Sequence, residues 1–357
     1  MATHSTPLSR SRSNLHGARI VWPVAAPLAV LAIAILSIAF GSVSIPPQTV
    51  LGVLLAQMPF AHITADGSAA AESIILQIRL PRVALIALTG AALASSGATY
   101  QGLFRNPLAD PYLIGVASGA GLGAVSAIAF EWNRSALGTA VIPLAAFAGA
   151  GLSAVLVYAL GRIGRSVPTT TLILAGVAVG TLAASLSTFI MIWVNSNAAR
   201  VLGFLLGGYS GAGWEAVLVI TPFTLLGFGV MLAYARPLNV LLFDEEQARQ
   251  LGVDVERVKV VLMAAATLAT AAAVSFSGLI GFVGLIVPHA VRLLVGPDHR
   301  RLLPWSALAG AGFLMLADLV ARTLLAPQEL PLGIVTAFAG TPFFLYLLRR
   351  ARNAAFF

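Results

Sequence analysis

The stretch RPLNVLLFDEEQARQLGVDVERVK, residues 236–259, decides the fold. It holds nine of the chain's 34 charged residues (21 Lys and Arg plus 13 Asp and Glu), yet long apolar runs press on it from both sides. Each charge placed in hydrocarbon costs roughly 2.5–3.5 kcal/mol. The stretch therefore reads as a water-facing loop between two membrane spans. Within it, Asp244, Glu245 and Glu246 precede a short helical pattern over residues 247–251. Acids suit a helix N-terminus, where the macrodipole is positive, and Gly252 is a natural stop. A short helix capped at both ends is expected here. Taken alone, such a loop reads first as a solvated connector.

The rest of the chain agrees with a membrane setting. Of 357 residues only 10% are charged and 59% are hydrophobic, and mean hydropathy is +0.93. These values describe an integral membrane protein, not a soluble domain. The absence of cysteine excludes disulfides, thiolate metal sites and a cysteine nucleophile. No GxxxxGK[ST] stretch occurs, so no P-loop for ATP is present. Residues 1–19 form a basic tail, and the apolar run after it is long enough to span and to be retained.

Ten apolar segments of spanning length follow one another, at about 20–40, 83–104, 111–130, 139–160, 170–193, 214–234, 258–276, 279–295, 303–325 and 331–348. With the N-terminus inside, the outer loops carry Arg79, Arg82, Arg134, Arg200 and Arg322, and the inner side carries the other 16 of the 21 Lys and Arg. This positive-inside bias supports ten spans with both termini cytoplasmic and residues 236–259 inside. The net charge of +8 thus reports membrane orientation rather than nucleic acid. The chain divides into the tail 1–19, a transmembrane domain 20–350 and a short tail 351–357. Small-residue runs such as GAALASSGA (90–98) and GVASGAGLGA (115–124) predict close helix contacts.

Few residues offer chemistry. His289, in IVPHAVR, has no acid or second histidine nearby in sequence. Asp318 and Arg322, four apart, share a helix face and are expected to pair. Asp110, Asp318 and Glu329 are too few and too peripheral for a proton relay. Arg105-Asn106-Pro107-Leu108-Ala109-Asp110-Pro111 is a polar, proline-bounded turn at the inner mouth of the second span. Arg79 and Arg82 stand three apart at its outer mouth, where a helix would put them on one face.

Four stretches together carry a resemblance. They are RLPRVALIALTGAALASSGATYQGLFRNPLADPYLIGVASGAGLG, DEEQARQLGVDVERVK, SGLIGFVGLIVPHAVRLLVGPDHRRLLPWSALAGAGFLMLADLVAR and ELPLGIVTAFAGTPFFLYLL. In order and spacing they resemble the membrane permeases of type II ABC importers, which take up ferric siderophores, haem and vitamin B12. The likeness covers about residues 75–350. It implies an all-α permease of ten transmembrane helices in the bacterial inner membrane, working as a homodimer. Two cytoplasmic ATPase subunits would supply ATP and magnesium, and a periplasmic or lipid-anchored binding protein would deliver the cargo. The chain itself would bind no cofactor and catalyse nothing.

The resemblance also implies three sites. Arg79, Arg82 and Arg322 would meet glutamates of the binding protein. Asn106, Leu108, Thr169 and Thr170 would line the cytoplasmic gate. Asp244, Glu245, Glu246, Ala248, Arg249, Gln250, Leu251 and Gly252 would form the helix that couples to the ATPase. The expected cargo is an iron chelate, a ferric siderophore or haem, with vitamin B12 as the alternative. An ion-coupled secondary transporter would need ionisable groups at mid-span, and a membrane enzyme would need a polar catalytic cluster.

Overall fold

The computed structural model describes residues 13–41, 43–57, 68–134, 138–164, 166–194, 198–208 and 213–354. Residues 1–12 and 355–357 of the expected tails lie outside it. The described part is a helical bundle. Its first half holds α1 (Ser13–Ala39), α2 (Pro47–Ala56), α3 (Ala69–Ser73), α4 (Leu80–Leu103), α5 (Val116–Ala129), α6 (Val141–Gly161), α7 (Thr169–Val194) and α8 (Ala198–Leu205). The second half holds α9 (Trp214–Ala233), α10 (Ala235–Leu241), α11 (Glu245–Gln250), α12 (Val255–Ser277), α13 (Val283–Val295), α14 (His299–Thr323) and α15 (Leu332–Ala354).

Six helical stretches are long and apolar enough to cross a membrane: Ala69–Leu103, Gly138–Gly161, Thr169–Val194, Trp214–Ala233, Val255–Ser277 and His299–Thr323. The other four expected segments fall on the shorter apolar helices Pro23–Ala39, Val116–Ala129, Val283–Val295 and Leu332–Tyr346. Three features depart from expectation. α1 begins at Ser13, inside the stretch assigned to the tail. A helical stretch begins at Ala69 and runs through α3 and a π-helical turn Ile74–Arg79 into α4, upstream of the start expected for the second segment at about residue 83. The extra apolar helices α2 and α8 are too short to register as spans.

α4 is the centre of the bundle, packed by α14, α12, α13 and α9. Its small residues set how close these neighbours come. A Cβ on Gly97 would sit 1.9 Å from the Gly284 carbonyl oxygen on α13. Gly90 and Gly310 face each other across α4 and α14 so closely that a Cβ on either would meet the other's carbonyl oxygen at 2.2 or 2.3 Å. In lipid no hydrophobic force joins helices, so this backbone proximity is what dispersion acts through.

α12 and α13 are separate helices, parted by residues 278–282 with φ +70° at Gly278 and +69° at Phe282. Non-helical backbone at membrane depth must be satisfied by protein. Here Leu279 donates its N–H to Phe204 O, while the Tyr112 hydroxyl donates to Ile280 O at 2.9 Å and accepts from Ile280 N. Gln101 Nε2 donates to the carbonyls of Gly284 and Leu285.

Candidate functional site

Two polar regions stand at opposite ends of the bundle. One is the neighbourhood of residues 236–259. It is less of a loop than expected, because α10 and the first turn of α12 take up its flanks. The short helix is present as α11. Asp244 caps it, its Oδ1 accepting the Glu245 N–H at 2.8 Å. Glu245 and Glu246 fill the first turn, Arg249 the last, and Gly252 follows with φ +81°. A side chain resists that backbone conformation, which is why glycine stands there. Glu246, Gln247, Arg249, Gln250 and Leu251 are exposed, whereas Ala248 is buried. α11 therefore presents a mixed, water-facing surface and seats one small residue in the bundle.

The charges of this region do not all face water, as a solvated loop would require. Lys259 is 6% exposed. Its ammonium meets Glu245 Oε1 at 2.7 Å and donates to the Val167 carbonyl at 3.2 Å. A buried lysine is tolerated only when paired in this way. Glu256 takes Arg249 on one oxygen and the Val167 N–H on the other. The legible signal was helical period. Lys259 lies on the buried stripe of Val255, Val258 and Leu262, not on the wet face of α12.

The residues implied for the gate adjoin this network. Asn106 and Leu108 lie in the turn after α4, where Asn106 Oδ1 accepts the Leu108 N–H at 2.9 Å. Arg105, with φ +48°, opens that turn and bonds Asp244 Oδ1 at 3.2 Å. Asp110 closes the turn by accepting the Tyr112 N–H. Burial pushes its carboxyl up to about 6, opposed by that amide bond. Thr169 and Thr170 open α7, and Phe104 and Thr169 line one small cleft with Lys259. Nearby, Asp298 caps α14, and the Arg300 N–H that it accepts holds its carboxyl below the usual carboxylate range. His289 packs edge-on against Phe343, with ring centroids 6.2 Å apart.

At the other end, the three outer arginines do not form one exposed patch. Arg79 ends a π-helical turn and Arg82 stands in the first turn of α4, and their side chains take different partners. Arg79 turns inward and donates to the carbonyls of Ile38, Ala39 and Val43. Arg322 is equally buried, bonded to Asp318 at 2.7 Å and to the carbonyls of Ser37 and Phe40. Arg82 keeps a solvent-facing side. Its guanidinium meets Asp318 Oδ1 at 2.9 Å and holds both oxygens of Glu329. The expected Asp318–Arg322 pair is present, but Asp318 is not peripheral: it is 1% exposed and bridges both cations.

A bundle of apolar helices, six of them long enough to cross a membrane, with a charged helix at one end and a cation cluster at the other, describes a multi-pass membrane protein. Comparison with known proteins names the family. The model of the FecCD transport family matches residues 29–350, and the chain belongs to that family. It is 53% identical over 279 residues to the cobalamin import system permease of Halobacterium salinarum, covering 78% of this chain and 74% of that one. It is 42% identical over 286 residues to the vitamin B12 import system permease of Escherichia coli O9:H4, covering 79% and 85%. A solved chain described as an inward-facing metal-chelate type ABC transporter superposes with a TM-score of 0.79 at 30% identity, covering 93% of this chain and 99% of that one. The protein is a permease component of an ABC importer.

Proposed function

We propose that this permease imports cobalamin, as a homodimer that crosses the inner membrane ten times per chain with both termini cytoplasmic. The 53% identity to a cobalamin import permease is the observation that supports the cargo. The iron chelate expected first from the resemblance becomes the second reading, favoured by the solved relative described as metal-chelate type. The surplus of Lys and Arg in the inner loops supports the orientation. In this reading α11 sits against an ATPase subunit that carries ATP and magnesium. Asn106, Leu108, Thr169 and Thr170 line the cytoplasmic gate. A binding protein delivers the cargo at the outer face.

The test is uptake by vesicles holding the permease with its ATPase and binding protein. Labelled cobalamin is expected to accumulate only with ATP inside the ATPase compartment, and a tenfold excess of ferric siderophore or haem is expected to leave it unchanged. ATP-driven accumulation of the ferric chelate with no cobalamin uptake would reverse the assignment.

Of the three outer arginines, Arg82 is the one suited to a partner's carboxylate, since Arg79 and Arg322 spend their donors on backbone carbonyls. Its fork can exchange the exposed Glu329 for an acid on the binding protein. Arg82→Gln is expected to weaken binding-protein association about tenfold, near 1.4 kcal/mol. It is also expected to flatten the salt dependence of binding, while basal ATP hydrolysis persists. Unchanged affinity at low ionic strength, where charge is least screened, would remove Arg82 from the docking surface.

A further inference from the structure

Val167 is the last residue but one before α7, and it is buried. Both of its backbone groups are held by side chains from the first two turns of α12. Glu256 Oε2 accepts its N–H at 3.1 Å, and Lys259 Nζ donates to its carbonyl at 3.2 Å. The same two side chains each grip one end of α11. Glu256 Oε1 takes Arg249 from the last turn at 3.1 Å, and Lys259 takes Glu245 from the first turn at 2.7 Å. Two parallel chains therefore run from α11 to one residue, through the two peptide units that flank its Cα: Arg249–Glu256–Val167 N–H and Glu245–Lys259–Val167 carbonyl. Pro168 then leads directly into Thr169, so the held residue is joined to α7 without slack.

The arrangement is more specific than loop packing requires. An exposed ion pair contributes about 0–1 kcal/mol and tolerates many geometries. The Lys259 ammonium is instead withdrawn from water, with only a carboxylate and a carbonyl for partners among the described residues. A buried charge that loses one partner is strongly penalised, so Lys259 must travel with Glu245 and Val167 together. A third tie, Arg105 to Asp244 at 3.2 Å, joins the cap of α11 to the turn carrying Asn106 and Leu108. That tie is half exposed on both sides and is the weaker one.

We propose that Lys259 and Glu256 are positioning residues that convert displacement of α11 into displacement of the start of α7. Lys259 is the principal link, and Glu256 keeps Val167 in register. The proposal rests on the reading that α11 meets the ATPase and that residues 169–170 belong to the gate. It adds the covalent and hydrogen-bonded route between them.

The chain has no cysteine, so single reporter cysteines can be introduced cleanly. One spin label replaces Phe243, exposed just before α11, and another, in a separate preparation, replaces Leu174, exposed one turn into α7. Both are read in the permease assembled with its ATPase in lipid nanodiscs, with and without ATP. In the otherwise unaltered chain both labels are expected to respond to ATP. In Lys259→Met the Phe243 label is expected to respond as before. The Leu174 response is expected to fall at least fivefold and uptake at least tenfold, with ATP hydrolysis retained. Lys259→Arg, which keeps the charge, is expected to restore at least half of the Leu174 response. Glu256→Ala leaves Lys259 and α11 in place and cuts the parallel link to Val167, so it covers the case in which Lys259→Met does not assemble; its Leu174 response is expected to fall at least threefold with ATP hydrolysis retained. A Leu174 response and uptake within twofold of the unaltered chain in both Lys259→Met and Glu256→Ala would overturn the proposal. A Phe243 label that ignores ATP in the unaltered chain would instead sink the ATPase reading of α11, and the link with it.

Discussion

Replacing Asp318 with alanine is expected to destabilise the protein by about 3–5 kcal/mol, the usual cost of leaving a buried charge without its counter-ion. Asp318 is 1% exposed, and its two oxygens serve two arginines: Oδ1 accepts from Arg82 Nε and Nη2, and Oδ2 from Arg322 Nε. Arg322 also ties α14 to the end of α1 through the Ser37 and Phe40 carbonyls. Arg79 does the same from the start of α4 through Ile38 and Ala39. The two guanidinium groups come together at Gly41, where a Cβ would lie 3.2 Å from Arg322 Nη1 and 3.3 Å from Arg79 Nη2. Carbonyl oxygens solvate these cations but do not neutralise them. Among the described residues Asp318 is the buried acid of this cluster, and Glu329 stands at the rim. Asp318→Asn keeps an acceptor and loses the charge, so its loss is expected to be smaller than that of Asp318→Ala. The measurement is the midpoint of denaturant-induced unfolding in mixed micelles, with the monodisperse fraction after purification as a second readout. An alanine variant within 1 kcal/mol of the unaltered chain would mean that α1, α4 and α14 are held by apolar packing alone.

What could be read in the sequence and what could not divides along one physical line. Features whose partners lie within a turn were legible. The cap, acids and stop of α11 come from Asp244, Glu245, Glu246 and Gly252 themselves. The Asp318–Arg322 pair follows from four-residue spacing. The positions of the six long apolar helices follow from uninterrupted apolar length, which lipid demands of any helix crossing it. Features whose partners are distant were not legible. Arg79 looks like an outer-loop cation until its acceptors, some 40 residues earlier at Ile38 and Ala39, are seen. Lys259 looks like one more charge in a wet loop until Val167 is found 92 residues away. Such bonds use backbone carbonyls, which every residue possesses, so no residue type announces them. The short helices α2 and α8 were missed for another reason: at 10 and 8 residues they are below spanning length.

Replacing Ala248 with proline is expected to reduce uptake to background while the permease still inserts and purifies with its partners. Ala248 is in the middle of α11 and fully buried. Its N–H donates to the Asp244 carbonyl at 2.9 Å, and its own carbonyl accepts from Val253 N at 3.0 Å. Proline removes the first bond, and its ring collides with the carbonyl four residues back, at a cost of about 3 kcal/mol or more. The cap at Asp244 stabilises the helix by about 1 kcal/mol, too little to hold six residues against that loss. Melting α11 also releases Glu245 and Arg249, so both chains to Val167 lose their driven end. The bundle is untouched, because α4, α12, α13 and α14 pack on one another without α11. Ala248→Gly is the matched control. It keeps the N–H and costs about 1 kcal/mol in helix propensity, so uptake is expected to fall only severalfold. Uptake and ATP hydrolysis measured together in vesicles distinguish the outcomes. Hydrolysis that continues without uptake in Ala248→Pro marks α11 as the coupling element, whereas uptake at the unaltered rate would show that transport proceeds without an ordered α11.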